Sequence, residues 1–268
     1  MKPTFPLSAK ARPASRISLS RPGFTLTELL IVIVIILVLA GILVPTIGKM
    51  RNMATASGCA SNMRQCAAVS NLFAGDHNSQ LPRLHITNPK AAPYIGEAIP
   101  GDERVVNNPN AYFWTEMLFV YTKSPDIFSC PQLKLPATVG SGGCSSKRYP
   151  LGIGINYPSM APNVGDINGP AEFVWTTMAK VPDPARVVWF TDSGGDAIKG
   201  PWKDRVEIPS SGSCFIRGNA DLPQCVMPRH GGRINVCFAD GHVALINPGE
   251  IDWGPKTSTG NFVGYSQF

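Results

Sequence analysis

The chain has 268 residues, 44% of them hydrophobic, and a formal net charge of +6, which is length enough for one sizeable core plus accessory segments. The charge is unevenly placed. Residues 1–23 hold Lys2, Lys10, Arg12, Arg16 and Arg21 with no acid, residues 24–75 hold Lys49, Arg51, Arg64 and Glu28, and residues 76–268 hold 16 basic and 17 acidic side chains. A bulk so close to neutral has no basic stripe, so nucleic acid is not an expected partner.

The first segment, 1–23, reads as a basic leader. It ends at Gly23-Phe24 and is followed by Thr25-Leu-Thr-Glu28 and then by an uncharged run that reaches to Lys49. Helical at 1.5 Å per residue, 24–44 is about 31 Å long, close to the hydrocarbon thickness of a bilayer. Its polar backbone can be satisfied in lipid only as a helix. An ordinary secretory signal is cut after its apolar stretch, whereas the plausible cut here, between Gly23 and Phe24, lies before it. The helix 24–45 would then remain as the first segment of the mature chain. Positive flanks stay cytoplasmic, so the C-terminal bulk is expected on the other side of the membrane. Glu28 is costly at the start of such a helix and calls for a partner, although a helix N-terminus also favours a carboxylate. Gly41 and Pro45 are expected to interrupt the helix near its outer end.

Arg21-Pro-Gly-Phe-Thr-Leu-Thr-Glu28 running into this apolar stretch resembles the N-terminus of type IV prepilins and type II secretion pseudopilins. The resemblance implies cleavage between Gly23 and Phe24 by a prepilin peptidase and N-methylation of Phe24. It also implies a pairing of Glu28 with the Phe24 amine of a neighbouring subunit during fibre assembly, and local melting of the helix at the proline. Such a pair acts better as a register device than as a source of stability.

Residues 46–75 read as an amphipathic continuation of the same helix. Cys59, Met63, Cys66, Ser70 and Phe73 share one face, which should pack on the sheet of an outer domain, and Gly75-Asp76 is the expected stop. From residue 76 onward the chain carries 20 of its 25 prolines and 21 of its 26 glycines, which predicts short strands and long ordered loops in a globular domain over 76–268. Tyr112–Tyr121 fits either a short helix or a buried strand. Arg186-Val-Val-Trp-Phe-Thr-Asp192 reads as a buried strand ending in a turn at Ser193-Gly-Gly. Residues 232–246 read as a hairpin with a two-residue Asp240-Gly241 turn, which puts Phe238 opposite Val243 and Val236 opposite Leu245.

His230, nine intervening residues and Asp240-Gly241 resemble the C-terminal signature of the "prepilin-type processing-associated" family. The islands Phe128-Ser-Cys-Pro131, Gly154-Ile-Asn-Tyr157 and Val188-Trp-Phe-Thr-Asp192 resemble its middle, and 59–82 resembles a pseudopilin-like group found in some bacterial phyla.

The seven cysteines are 59, 66, 130, 144, 214, 225 and 237. An extracytoplasmic domain permits disulfides. Cys130 with Cys144 and Cys214 with Cys225 would close short loops, while Cys59 or Cys66 could instead reach Cys130, and the odd count leaves at least one thiol over. No CxxC or CxxH spacing occurs, so no zinc site is predicted. Asp192, Asp196 and Asp240, beside turn glycines, are the candidate calcium ligands. The major pseudopilins of type II secretion hold calcium, but their loop motif is not matched, and no cofactor is otherwise expected. His230 and Asp240 suggest a catalytic dyad, yet a strand between them puts the hairpin tip about 20 Å from its base. A structural role is expected for His230, Asp240 and Gly241.

The sequence therefore predicts an α+β, pilin-like fold: a long N-terminal helix, its first half transmembrane, packed on a small antiparallel sheet with long loops. The expected role is that of a non-enzymatic, single-pass subunit of the bacterial inner membrane, with its N-terminus cytoplasmic and its C-terminal domain periplasmic or in an extracellular fibre. Its expected partners are prepilin peptidase, other copies or related pseudopilins, an inner-membrane assembly platform and lipid. The alternative is a membrane-anchored binding module or hydrolase that uses the leader without polymerising.

Overall fold

The computed structural model describes residues 23–86, 112–133, 151–157, 159–161, 177–194, 215–217, 225–252 and 262–263. The chain divides into two compact units, Met1–Ile47 and Gly48–Phe268.

Helix α1 spans Leu26–Asp76. It opens with a capping box. Glu28 Oε2 accepts from both the backbone N–H and the Oγ1 of Thr25, at 2.8 Å each, while Thr25 Oγ1 accepts from the Glu28 N–H at 3.3 Å. Gly41 and Pro45, expected to interrupt the helix, both lie inside it. Pro45 has no N–H for the Gly41 carbonyl one turn back, and Thr46 Oγ1 adds a local bond to the Leu43 carbonyl at 2.7 Å. Almost every side chain from Phe24 to Met53 is exposed, whereas Ala56, Cys59, Met63, Cys66, Ala67, Ser70, Phe73 and Ala74 are buried. The change from all-round apolar to one-sided burial is the physical difference between the two halves of the helix. Beyond Asp76 the chain turns through left-handed Asn78 and Ser79 (φ 53° and 61°), and the Ser79 N–H returns to the Ala74 carbonyl at 2.8 Å.

Strands β1 (His85–Ile86) and β2 (Tyr112–Phe113) form a short antiparallel pair. The ambiguous stretch that follows is a helix, α2 (Trp114–Thr122), with the Phe113 N–H held by the Glu116 carboxylate and a left-handed C-cap at Lys123. Then come β3 (Ile153–Tyr157), β4 (Val188–Asp192), β5 (Phe215–Arg217), β6 (Ile234–Phe238), β7 (Val243–Ile246), β8 (Ile251–Asp252) and β9 (Phe262–Val263). The main sheet has the order β5-β3-β4-β6-β7. The four strands β3, β4, β6 and β7 are antiparallel, and β5 adds a parallel edge to β3.

The sheet is covered on both faces, which is why β4 and β6 are buried at every position. On one side the α1 face from Cys59 to Ala74 packs with Trp114, Phe128, Trp189, Phe190 and Cys237. Trp114 is the hub: its ring lies 5.3 Å from both Phe128 and Phe190. On the other side Val188, Ile216, Val226, Ile234, Val236 and Phe238 form a second cluster.

The 232–246 hairpin forms, but its register differs from the expected one. Val236 pairs with Ala244 and Cys237 with Val243, and the Phe238 N–H donates to the His242 carbonyl at 2.9 Å. The loop therefore has three residues, Ala239-Asp240-Gly241, closed by the Gly241 N–H on the Phe238 carbonyl at 2.8 Å, with only Gly241 at positive φ (+90°). A one-residue shift exchanges the two faces of a strand. Val243 consequently joins the helix-side core, and Ala244 and Ile246 join the opposite cluster. Both alternations of β7 are apolar, so hydrophobic patterning did not discriminate between them. Phe238 instead stacks on His242, with centroids 4.3 Å apart.

Candidate functional site

Two sets of residues stand out, one in each unit. In the first, Gly23 and Phe24 precede α1, with Phe24 84% exposed, and Glu28 lies one turn further on in the capping box. Among the described residues α1 alone is long and apolar enough to cross a membrane, with a mean hydropathy of 3.2 over its most apolar 18-residue stretch and none of that stretch buried.

The second set lies inside the globular unit. Cys59 is on the buried face of α1, and its thiol donates to Asp192 Oδ1 at 3.1 Å. Cys130 follows the 3-10 turn Pro125–Phe128. That turn is tied to α1 by Asn62 Nδ2, which donates to the carbonyls of Asp126 and Ser129 at 3.1 and 2.9 Å, and by the Cys66 thiol on the Ile127 carbonyl at 3.3 Å. Gly152 lets the chain press against Cys130, since a Cβ at Gly152 would lie 2.7 Å from the Cys130 nitrogen. Asp192 ends β4, and its Oδ2 accepts the Asn235 N–H from β6 at 2.7 Å. His230 opens a tight turn through Gly231 and Gly232, both at positive φ, whose ends bond reciprocally between His230 and Arg233.

His230 Nε2 lies 3.3 Å from Asp192 Oδ2 and 3.6 Å from Cys130 Sγ. One ligating atom from each of Cys59, Cys130, Asp192 and His230 falls within 4.8 Å of the other three, and all four residues are buried. Arg229 stands behind them. Its Nη1 is 3.9 Å from Asp192 Oδ1 and donates to the Gly152 carbonyl at 2.9 Å, while its Nη2 donates to the Ser193 carbonyl. His230 Nδ1 is buried with no hydrogen-bond partner among the described residues, so the contacts of Nε2 orient the ring.

The proximity polarises these groups. The hydrogen bond from Cys59 pulls the Cys130 thiol down to about 6 despite burial, helped by His230 and Arg229. The same hydrogen bond, burial and the Asp192 charge push Cys59 well up. Burial alone would lower His230, but its bonds to Asp192 and Cys130 raise it to about 9. The residue types are those of a nucleophilic Cys–His pair with an orienting acid. Cys59, Cys130 and Asp192 have no exposed surface. A cavity of about 260 Å³ that touches His230 lies against Lys49, Asn52 and Met53 of α1 together with Arg233 and Leu245, and among the described residues no acidic side chain lines it.

His230 and Asp240 lie at opposite ends of β6. Asp240 instead accepts from the His242 N–H at 3.0 Å and contacts its Nδ1 at 2.6 Å. The candidate calcium acids are likewise separated: Asp192 sits in the buried cluster, Asp240 is at the hairpin tip, and Asp196 lies outside the described residues. Cys130 has no disulfide partner among the described residues, and Cys144 and Cys214, the suggested partners of Cys130 and Cys225, lie outside the described residues. The acid beside His230 is thus Asp192. No local spacing signals this, because the antiparallel pairing of β4 with β6 creates it.

Residues 20–44 match the family model for the prokaryotic N-terminal methylation motif. No curated protein and no solved structure matches the chain. The match supports a prepilin-like protein of the type IV pilin or pseudopilin kind, and the long apolar helix with a small antiparallel sheet agrees with a pilin-like α+β fold. The matched segment does not extend to the His230–Gly241 hairpin.

Proposed function

We infer that the chain is a structural pilin- or pseudopilin-like subunit, cut between Gly23 and Phe24 by a prepilin peptidase, N-methylated at Phe24 and assembled into a fibre of a type II secretion or type IV pilus-like machine. The observation that carries this reading is the methylation motif at 20–44, which takes in the start of a long apolar helix with no buried residue in its most apolar 18-residue stretch. Among the described residues that surface has no protein partner, and lipid first and neighbouring subunits later would cover it. The basic leader on the cytoplasmic side sets a single-pass inner-membrane topology, with the unit from Gly48 onward outside the cytoplasm. Cleavage frees the Phe24 amine one helical turn before Glu28. The carboxylate, capped by Thr25 within one chain, then becomes available to a neighbour's amine. A non-enzymatic role is supported by the burial of the Cys–His–Asp group. The test is mass spectrometry of the protein from bacterial membranes together with electron microscopy of the processed protein. The expected result is an N-terminal methylated Phe24 and filaments. An intact Met1, or cleavage beyond the apolar run, would overturn the processing step. Processed protein that never forms filaments, alone or with co-expressed pseudopilins, would favour the membrane-anchored module.

A further inference from the structure

Cys59, Cys130, Asp192 and His230 come from α1, from the loop after the 3-10 turn, from the end of β4 and from the base of the β6–β7 hairpin, yet they converge in one buried cluster. We propose that these four side chains hold one zinc ion as a closed structural site that pins the globular half of α1 to the sheet. This assignment is independent of whether the chain polymerises.

Distance is the first argument. Zinc bonds of about 2.3 Å to sulfur and 2.0–2.1 Å to nitrogen or oxygen in a tetrahedron set ligand-to-ligand edges of roughly 3.3–3.8 Å. Cys130 Sγ to His230 Nε2 and His230 Nε2 to Asp192 Oδ2 are 3.6 and 3.3 Å, within that range, while Cys59 Sγ lies 3.1 Å from the other carboxylate oxygen, Oδ1, and the ligating atoms of all four residues lie within 4.8 Å of one another. The two sulfurs, within 4.8 Å of each other, need to close by at most about 1 Å to complete the tetrahedron.

Donor chemistry is the second. Two thiolates, an imidazole and one carboxylate suit zinc, whereas calcium and magnesium take oxygen ligands. Charge is the third. Two thiolates, one carboxylate and a neutral imidazole around a dication sum to −1, and the buried Arg229 guanidinium, 3.9 Å from Asp192 Oδ1, returns the group to neutrality. A buried charge needs such a partner. Arg229 is itself held by the Gly152 and Ser193 carbonyls. All four protein ligands are used and none is exposed, so no coordination position is open for catalysis.

The competing use of Cys59 and Cys130 is a disulfide, and the experiment separates the two. The full chain, purified from bacterial membranes in non-ionic detergent without chelator, is analysed for metals and for disulfide-linked peptides. It is then stripped, kept reduced and titrated with zinc or cobalt(II). One zinc per chain is expected, and the cobalt form should show a thiolate-to-cobalt charge-transfer band with tetrahedral d–d bands. Cys59→Ser and Asp192→Asn should abolish stoichiometric binding. Arg229→Met, which removes a supporting contact but no ligand, should weaken binding about 10–100-fold. Cys66→Ser and Cys237→Ser should bind a full equivalent, since those thiols donate to the Ile127 and Phe238 carbonyls instead. A Cys59–Cys130 disulfide in protein from cells, no zinc retained by the reduced folded chain at micromolar metal, or a cobalt spectrum lacking the thiolate band would each overturn the site. The spectrum is read on the unmutated chain, so a variant that fails to fold does not blunt the test.

Discussion

Under the proposed function Glu28 would serve two states. In the single chain its carboxylate closes the Thr25 capping box and neutralises the start of α1. In a fibre the same oxygen would face a neighbour's Phe24 amine. Glu28→Gln keeps the length and most of the capping hydrogen bonds but loses the charge. Processing at Gly23 should therefore be near normal by mass spectrometry, while filament yield falls about tenfold or more, as for the loss of about 1.4 kcal/mol per contact. Unchanged filament yield would remove Glu28 from assembly. Two glycines act by geometry alone. Gly152→Ala would place a methyl 2.7 Å from the Cys130 nitrogen and 2.9 Å from its Cβ. The loop should shift, costing about 1–3 kcal/mol in denaturant unfolding of the full chain in detergent. Gly241→Val puts a β-branched residue at φ +90° in open space, so its cost, also about 1–3 kcal/mol, is backbone strain without collision. Full stability of either variant would contradict the described backbone at that position.

At the scale of elements, α1 is one helix whose two halves differ in burial. Its second half obeys the periodicity of a core helix, and the contrast between adjacent side chains tests this. Phe73 is fully buried against the sheet-side core, whereas Leu72 is 60% exposed. Phe73→Ala should cost about 3–5 kcal/mol. Leu72→Ala should stay within about 0.5 kcal/mol in the same denaturant melt. Equal effects would mean that the helix is rotated from the described orientation. In the β6–β7 hairpin the Asp240-Gly241 pair correctly located the turn but not its length. The three-residue loop needs positive φ at one residue only, and Gly241 supplies it. Asp240 avoids the left-handed region and bonds His242 instead.

For the whole molecule, the two units answer to different surroundings. The unit up to Ile47 exposes an apolar helix that lipid and other subunits would cover under the proposed function, while the unit from Gly48 has a core on both faces of its sheet. A zinc ion in that core adds stability by mass action, about 2.7 kcal/mol at free metal one hundred times Kd. At about 2–4 °C per kcal/mol for a unit of this size, chelation of the reduced protein should lower its unfolding temperature by roughly 5–10 °C. Differential scanning calorimetry of the full chain in detergent, with and without chelator, checks this. The Cys59→Ser variant should show no chelator effect, and an equal shift in that variant would assign the effect to another site.

What could be read from the sequence alone is what is written contiguously. The basic leader, the Gly-Phe junction, Glu28, the membrane-length apolar run and the buried stripe from Cys59 to Phe73 are all local signals. Each depends on composition or on a 3.6-residue period, so neighbouring residues carry the whole message. The β4 and β6 strands were legible for the same reason. The pairing of His230 with Asp192, the approach of Cys59 and Cys130, the supporting place of Arg229 and the register of β7 were decided only by tertiary structure. Those groups are spread from residue 59 to residue 230 and meet because β4 runs antiparallel to β6 while α1 lies across the same face. No spacing rule encodes a contact made through strand register and helix docking. A strand that is apolar on both faces, such as β7, leaves even its own register to the packing around it.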